Sequence, residues 1–196
     1  MKIKRLSAYI IDIIIVSIIS SIIFQLPFFK KDLEKYTDSL TTYQEELINS
    51  GSGDATPEAL NSLVYTLSQN TVTLSIINLS VTIVYFGIIQ YLWHGQTIGK
   101  KVMKIRIVAN NGSNLNPNLF IIREIILFNV ILVIIDIIST ICCSKELYYN
   151  IQQIITLAKM IVTFSIVGVM IFREDERGLH DLIGQTKVIE TKNQEN

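Results

Sequence analysis

The chain has 196 residues, with 17 basic and 17 acidic side chains and no formal net charge. That balance gives no electrostatic ground for a nucleic-acid partner or an acidic substrate. Charged residues are 17% of the chain, below the ~25% of a soluble domain. The apolar residues gather in four long runs, a pattern that excludes an ordinary water-soluble globule as the expectation.

The first run, 6–29, is long enough to cross a hydrocarbon core of roughly 30 Å. It exceeds a signal-peptide core and lacks a small-x-small cleavage site, so it reads as an uncleaved span. It carries Asp12, and an ionisable group at that depth needs a partner or a wet cavity. Arg5 precedes Asp12 by two helical turns and falls on the same face. Pro27 predicts a kink near the end of the run.

Residues 30–71 predict a helical hairpin outside the bilayer. Leu33, Tyr36, Leu40, Tyr43 and Leu47 form one helical stripe, and Leu60, Leu63 and Leu67 another. Gly51-Ser-Gly53 ends the first helix; Thr56-Pro57-Glu58 starts the second. The stripes are expected to pack on each other.

The second span, 72–93, carries Asn78 and Gln90 and ends at Tyr91-Leu-Trp93, residues suited to the membrane interface. Next comes His94-Gly95-Gln-Thr-Ile-Gly99-Lys100-Lys101, which has the wrong glycine spacing for a phosphate loop. Alternation over Val102 to Val108 predicts a strand, followed by the turn signal Asn110-Asn111-Gly112. In the tail, Gly184-Gln-Thr186-Lys-Val-Ile189 is again strand-like, so the two short strands can pair.

The third span, 120–143, holds Arg123 and Glu124 near its start, Asn129 in its middle and Asp136 toward its far end. It closes on Cys142 and Cys143, read as small apolar residues because neighbouring cysteines bridge only with strain. A short loop over 144–150 precedes the fourth span, 151–172, which holds Lys159. At 1.5 Å per residue, Asp12 lies roughly 9 Å and Arg123 roughly 6 Å from one boundary. Asp136 and Lys159 lie roughly 10 and 12 Å from the other. Matched depth predicts two pairs: Asp12 with Arg123 or Arg5, and Asp136 with Lys159. Glu124, beside the boundary, is expected to face headgroups or solvent.

Eleven bases fall in residues 1–5, the 94–118 connection and the tail from 173; four fall in 30–71 and 144–150. This asymmetry predicts a multi-pass cell-membrane protein with both termini cytoplasmic. The expected fold is all-α. It is one domain over 1–196 with four transmembrane helices, an extracytoplasmic hairpin between spans 1 and 2, and a small cytoplasmic β unit from the 2–3 loop and the tail.

With Arg5, Asp12, the Gly95-Gln-Thr-Ile-Gly99-Lys100 loop, Arg123, Leu179-His180-Asp181 and Gly184-Gln-Thr186 in view, the sequence resembles the RDD family of bacterial integral membrane proteins. That family is named for an arginine at the start of its first span and two aspartates, one within that span. The resemblance makes Asp181 the second aspartate, and it leaves the 30–71 hairpin as an insertion. It implies a membrane protein whose role is open, with ion or solute transport, including sodium–proton exchange, as one suggestion. Nothing in it bears on Asp136 or Lys159.

Two functional readings follow. In the first, the buried charges are ion pairs that fix helix register in a membrane scaffold or accessory protein acting with a membrane-protein partner or a second copy of itself. In the alternative, Asp12 is the cation or proton site of a transporter, with Arg5 and Arg123 as counter-charges. An enzyme is not expected: no nucleophile-elbow pattern occurs, and His94 and His180 lack metal-ligand spacing. No metal and no cofactor are implied.

Overall fold

The computed structural model describes residues 1–50, 57–112 and 114–191. The glycine break at 51–53 and the Thr56 cap expected inside the hairpin lie outside the described residues.

Helix α1 runs Lys2–Phe24 and stops five residues before the expected end. Leu26 is extended and Pro27 opens a single tight turn, Pro27–Phe29. A proline ring disfavours helix at the preceding residue and supplies no N–H. Pro27 therefore ends the span rather than kinking it. Ala8, Asp12, Val16, Ser20 and Phe24, four residues apart, make the buried face of α1. Ile10, Ile14, Ile18 and Ile22 are 50–60% exposed. On an apolar helix of bilayer length, such a stripe faces lipid.

Helices α2 (Lys30–Ser50) and α3 (Pro57–Asn70) form the hairpin. Leu33, Tyr36, Leu40 and Tyr43 are half-buried, as are Leu60, Leu63 and Leu67, while Leu47 is exposed. Helix α4 spans Val72–Leu92. Its stretch Ile83–Ile89 is wound as π-helix, a form that concentrates at functional sites and for which the sequence carries no sign. A short helix α5, Ile98–Val102, then leads into strand β1, Ile105–Ala109.

The third span is not one straight helix. It consists of α6, Pro117–Leu127, and α7, Val130–Cys142, and the axis bends by 57° between them. Asn129 sits at the break with φ +52, a left-handed conformation that asparagine tolerates better than most residues. Helix α8, Lys145–Phe172, begins earlier than expected, and most of the anticipated 144–150 loop forms its first turns. Helices α1, α4 and α8 are each long and apolar enough to cross a bilayer; α6 with α7 makes a fourth crossing if counted as one span. The tail adds a short helix α9, Leu179–Ile183, and strand β2, Thr186–Glu190. The strands pair antiparallel, from Ile105 opposite Glu190 to Ala109 opposite Thr186. Ile105, Ile107 and Ala109 alternate into the core, as period two requires.

Two compact units result. The first comprises Met1–Ile19, Ser80–Ile131 and Lys159–Asn196; the second, Ser20–Leu79 and Leu132–Ala158. The first is built on Val16, Tyr85 and Phe86, with Phe128 packed against them. In the second, Tyr148 donates to the Ser68 hydroxyl at 2.7 Å and its ring meets Tyr65 at 5.1 Å. Tyr65 donates in turn to the Cys143 carbonyl at 3.0 Å.

Two glycines separate backbone strain from packing. Gly95 and Gly112 both have positive φ, at +82 and +76. A Cβ on Gly95 would stand 2.2 Å from the Ile107 carbonyl oxygen, whereas one on Gly112 would meet nothing within 4 Å among the described residues. Gly112→Ala should cost about 1 kcal/mol from conformation alone. Gly95→Ala should cost about 2 kcal/mol more, because the clash is with backbone. Thermal unfolding in mild detergent reads both.

Candidate functional site: a buried charge cluster

The buried charge cluster lies in the first unit. Asp12 is fully buried on the inner face of α1. Its Oδ1 accepts from the Tyr85 hydroxyl at 2.7 Å and from the Gly99 N–H at 2.8 Å. Its Oδ2 accepts from the Thr97 hydroxyl at 2.5 Å. These partners come from the π-helical turn of α4 and from the start of α5. Thr97 also caps α5, its hydroxyl accepting from the Lys100 N–H at 3.2 Å. The Tyr85 oxygen accepts from the Ile98 N–H at 3.2 Å. One carboxylate thus docks the whole turn against the first span. Gly99 is glycine for a steric reason: a Cβ there would lie 2.3 Å from the Ala8 carbonyl oxygen and 2.8 Å from the Asp12 carboxyl carbon.

Asp181, on α9, is the second centre. Arg5 donates to its Oδ2, and Arg123 Nε donates to its Oδ1 at 3.0 Å. The Gly178 N–H and the Thr186 hydroxyl also reach it, at 3.2 and 3.4 Å. Arg5 additionally donates to the Glu176 carbonyl. Arg123 and Glu124 form an ion pair, and Glu124 Oε1 accepts from the Gln90 amide at 2.9 Å. Lys100 Nζ donates to the other end of that amide, Gln90 Oε1. A chain of contacts therefore runs from Arg5 through Asp181, Arg123, Glu124 and Gln90 to Lys100. With Asp12 included, three cations and three carboxylates share the cluster.

The partners of Asp12 differ from those expected. Asp12 is satisfied by neutral donors, and Arg5 and Arg123 converge on Asp181. A neutral triad suits Asp12 because each carboxylate oxygen finds a donor without a second charge being buried beside it. Glu124 does not face headgroups or solvent: it is 5% exposed, held inward by Arg123 and Gln90. The expected pair of Asp136 and Lys159 joins residues of different units, each compact by itself. Within its own unit Asp136 accepts from the Gln152 amide through its carboxylate, and from Ser139 and Thr140 through its carbonyl. Lys159 is half-buried on α8. His94 is exposed, while His180 is buried with Nε2 3.4 Å from Asp181 Oδ1. Tyr85, which completes the Asp12 shell, carries no periodic or motif signal that would single it out in the sequence, and Thr97 lies in the Gly95–Lys100 motif without being marked there as a partner of Asp12.

Burial alone would raise the Asp181 carboxyl, but the charges of Arg123 and Arg5 outweigh it and hold the group well below the usual carboxylate range. Burial, with Arg123 beside it, pushes the His180 imidazole down to about 3. Burial also lowers the Lys100 ammonium to about 8, opposed by Glu124. A cavity of about 310 Å³ adjoins the cluster, and Arg5, Asp12, Lys100, Arg123 and His180 are on its wall.

The RDD family model matches residues 3–185, nearly the whole chain. The chain belongs to the RDD family. RDD proteins are membrane proteins, in agreement with the lipid-length helices. Arg5, Asp12 and Asp181, the residues for which the resemblance singled out this family, sit in one cluster in this RDD protein. No curated protein and no solved structure matches the chain.

Replacing Asp181 leaves two buried guanidinium groups without their shared carboxylate. Asp181→Asn should lower stability by about 3–5 kcal/mol in a detergent melt. His180 makes the protein acid-sensitive. Its folded value lies below its unfolded value of 6.5, so the unfolded chain binds a proton that the folded one does not. Stability should fall as pH drops through 6.5, by up to about 2 kcal/mol between pH 7 and 5. His180→Gln should flatten that limb of the profile. Asp181 adds its own loss only below its unfolded value of 3.8.

Proposed function

We propose that this RDD protein is a membrane scaffold or accessory protein whose buried charges fix the register of its spans. The observation that supports this reading most is the engagement of Asp12: three donors from two other elements bond to its two oxygens. With three of its roughly four acceptor sites taken, this carboxylate has little coordination left for a travelling cation, and removing its charge would loosen the docked turn. In the proposed arrangement both termini and the β unit face the cytoplasm, following the excess of Lys and Arg in those segments. The hairpin α2–α3 lies on the opposite side, and the protein acts with a membrane-protein partner or a second copy of itself.

The cavity beside Asp12 favours a second reading, cation or proton exchange with Arg5 and Arg123 as counter-charges. The two readings separate in sealed vesicles containing the purified protein. The scaffold reading expects proton and sodium flux no greater than in protein-free vesicles. It also expects Asp12→Asn to lose about 2–4 kcal/mol, since charge-assisted hydrogen bonds are replaced by weaker ones. Flux in the wild-type protein that disappears in a stably folded Asp12→Asn variant would establish transport instead.

A further inference from the structure

We propose that the 310 Å³ cavity of the first unit holds the headgroup of an anionic glycerophospholipid, with the acyl chains lying outside against α1 and α8. Three basic side chains and a single carboxylate line it. Asp12 is already occupied by Tyr85, Thr97 and Gly99. Arg123 is covered by Glu124 and Asp181. Lys100 is different: among the described residues no carboxylate lies within ion-pair distance of its Nζ, which donates to the neutral Gln90 amide and stands 5.7 Å from the Phe86 ring centre. Arg5 uses two of its nitrogens and keeps further N–H groups. The Lys100 ammonium, which lacks a carboxylate partner among the described residues, and the spare Arg5 donors call for an anion, and a phosphate matches guanidinium and ammonium donors together.

The wall also carries two buried acceptors. Among the described residues, Asn129 Oδ1 and His180 Nδ1 have no hydrogen-bond partner, and both residues line the same cavity. The imidazole is neutral at physiological pH, so with Nε2–H directed at Asp181 its Nδ1 carries a lone pair. Buried acceptors left empty are costly, and hydroxyl donors would fill them. Phosphate for the cations and hydroxyls for the acceptors together describe a glycerol phosphate headgroup.

Size and rim decide where the tail goes. The volume is that of about ten waters at ~30 Å³ each, enough for a small headgroup and too little for acyl chains. The lining includes Leu6 and Val167, 58% and 40% exposed, together with exposed Thr163. On spanning helices that exposure is to lipid, so the mouth opens toward acyl chains.

Native mass spectrometry of the full chain in mild detergent tests the assignment. The protein is offered equal amounts of phosphatidylglycerol and phosphatidylcholine with the same chains. Phosphatidylglycerol adducts should exceed phosphatidylcholine adducts at least five-fold, and Lys100→Gln should reduce that preference by a similar factor. Thr163→Trp, at the exposed rim, should abolish the preference by blocking the mouth, and it decides the matter if Lys100→Gln does not fold. Millimolar glycerol 3-phosphate should fail to displace the lipid, because it lacks the apolar anchor. Equal retention of the two lipids, a preference that survives in the folded variants, or full displacement by glycerol 3-phosphate overturns the proposal. None of these readouts depends on whether the protein carries ion flux.

Discussion

A charged group cannot be left alone in hydrocarbon, and the first unit of this protein is arranged around that constraint. Asp181 is at the centre of it. The carboxylate comes from the tail, one arginine from the start of the first span and the other from the start of the third. Residues 5, 123 and 181 are far apart in the chain, so their meeting closes long loops whose entropy must be offset. The offset is mutual: each group is costly to bury without the others, so the three assemble together or not at all. The short helix α9 and strand β2 are held in place as a consequence, and β2 then completes its ladder with β1.

Asp12 meets the same constraint by a different route. Its shell is neutral and comes from a helical turn, a tyrosine and one glycine N–H. The Gly-Gln-Thr-Ile-Gly-Lys segment therefore has a spatial meaning that its letters do not display. Gly95 lets the chain turn against Ile107, Thr97 caps α5 while bonding Asp12, and Gly99 allows the backbone to touch α1. Lys100 then reaches back to Gln90 and links this turn to the arginine cluster. The segment behaves as a docking turn, which accounts for its glycines without any bound phosphate.

The two units use different physics. The first has charge inside and lipid-facing isoleucines outside, so its specificity comes from few, strong polar contacts. The second relies on half-buried leucines and tyrosines of the hairpin, with ring contacts such as Phe24 with Tyr36 at 6.2 Å and Tyr65 with Tyr148 at 5.1 Å. Cores of this second kind tolerate substitution more readily, because volume can be conserved by many side chains. The polar cluster has no such latitude, since a donor cannot be exchanged for an apolar group without orphaning its acceptor.

Some of this was legible from residues alone. Apolar runs of bilayer length need no partner to be recognised, because lipid demands internally bonded backbone and helix supplies it locally. The hairpin stripes and the alternation in β1 and β2 are likewise periodicities of the local backbone, and Arg5 and Asp12 stood out as charges at an apolar run, whereas Asp181 was singled out by the family resemblance alone. Their partners did not. Depth counting set Asp12 against Arg123, since a count along straight helices resolves height and leaves azimuth unknown. Azimuth depends on the break at Asn129, on the π-helical turn that presents Tyr85, and on how the tail folds back to deliver Asp181. Sequence by itself determined which stretches are long and apolar enough to enter a membrane and that their charges need company. Only the tertiary structure decided which charges meet, because that choice rests on contacts between residues the chain keeps far apart.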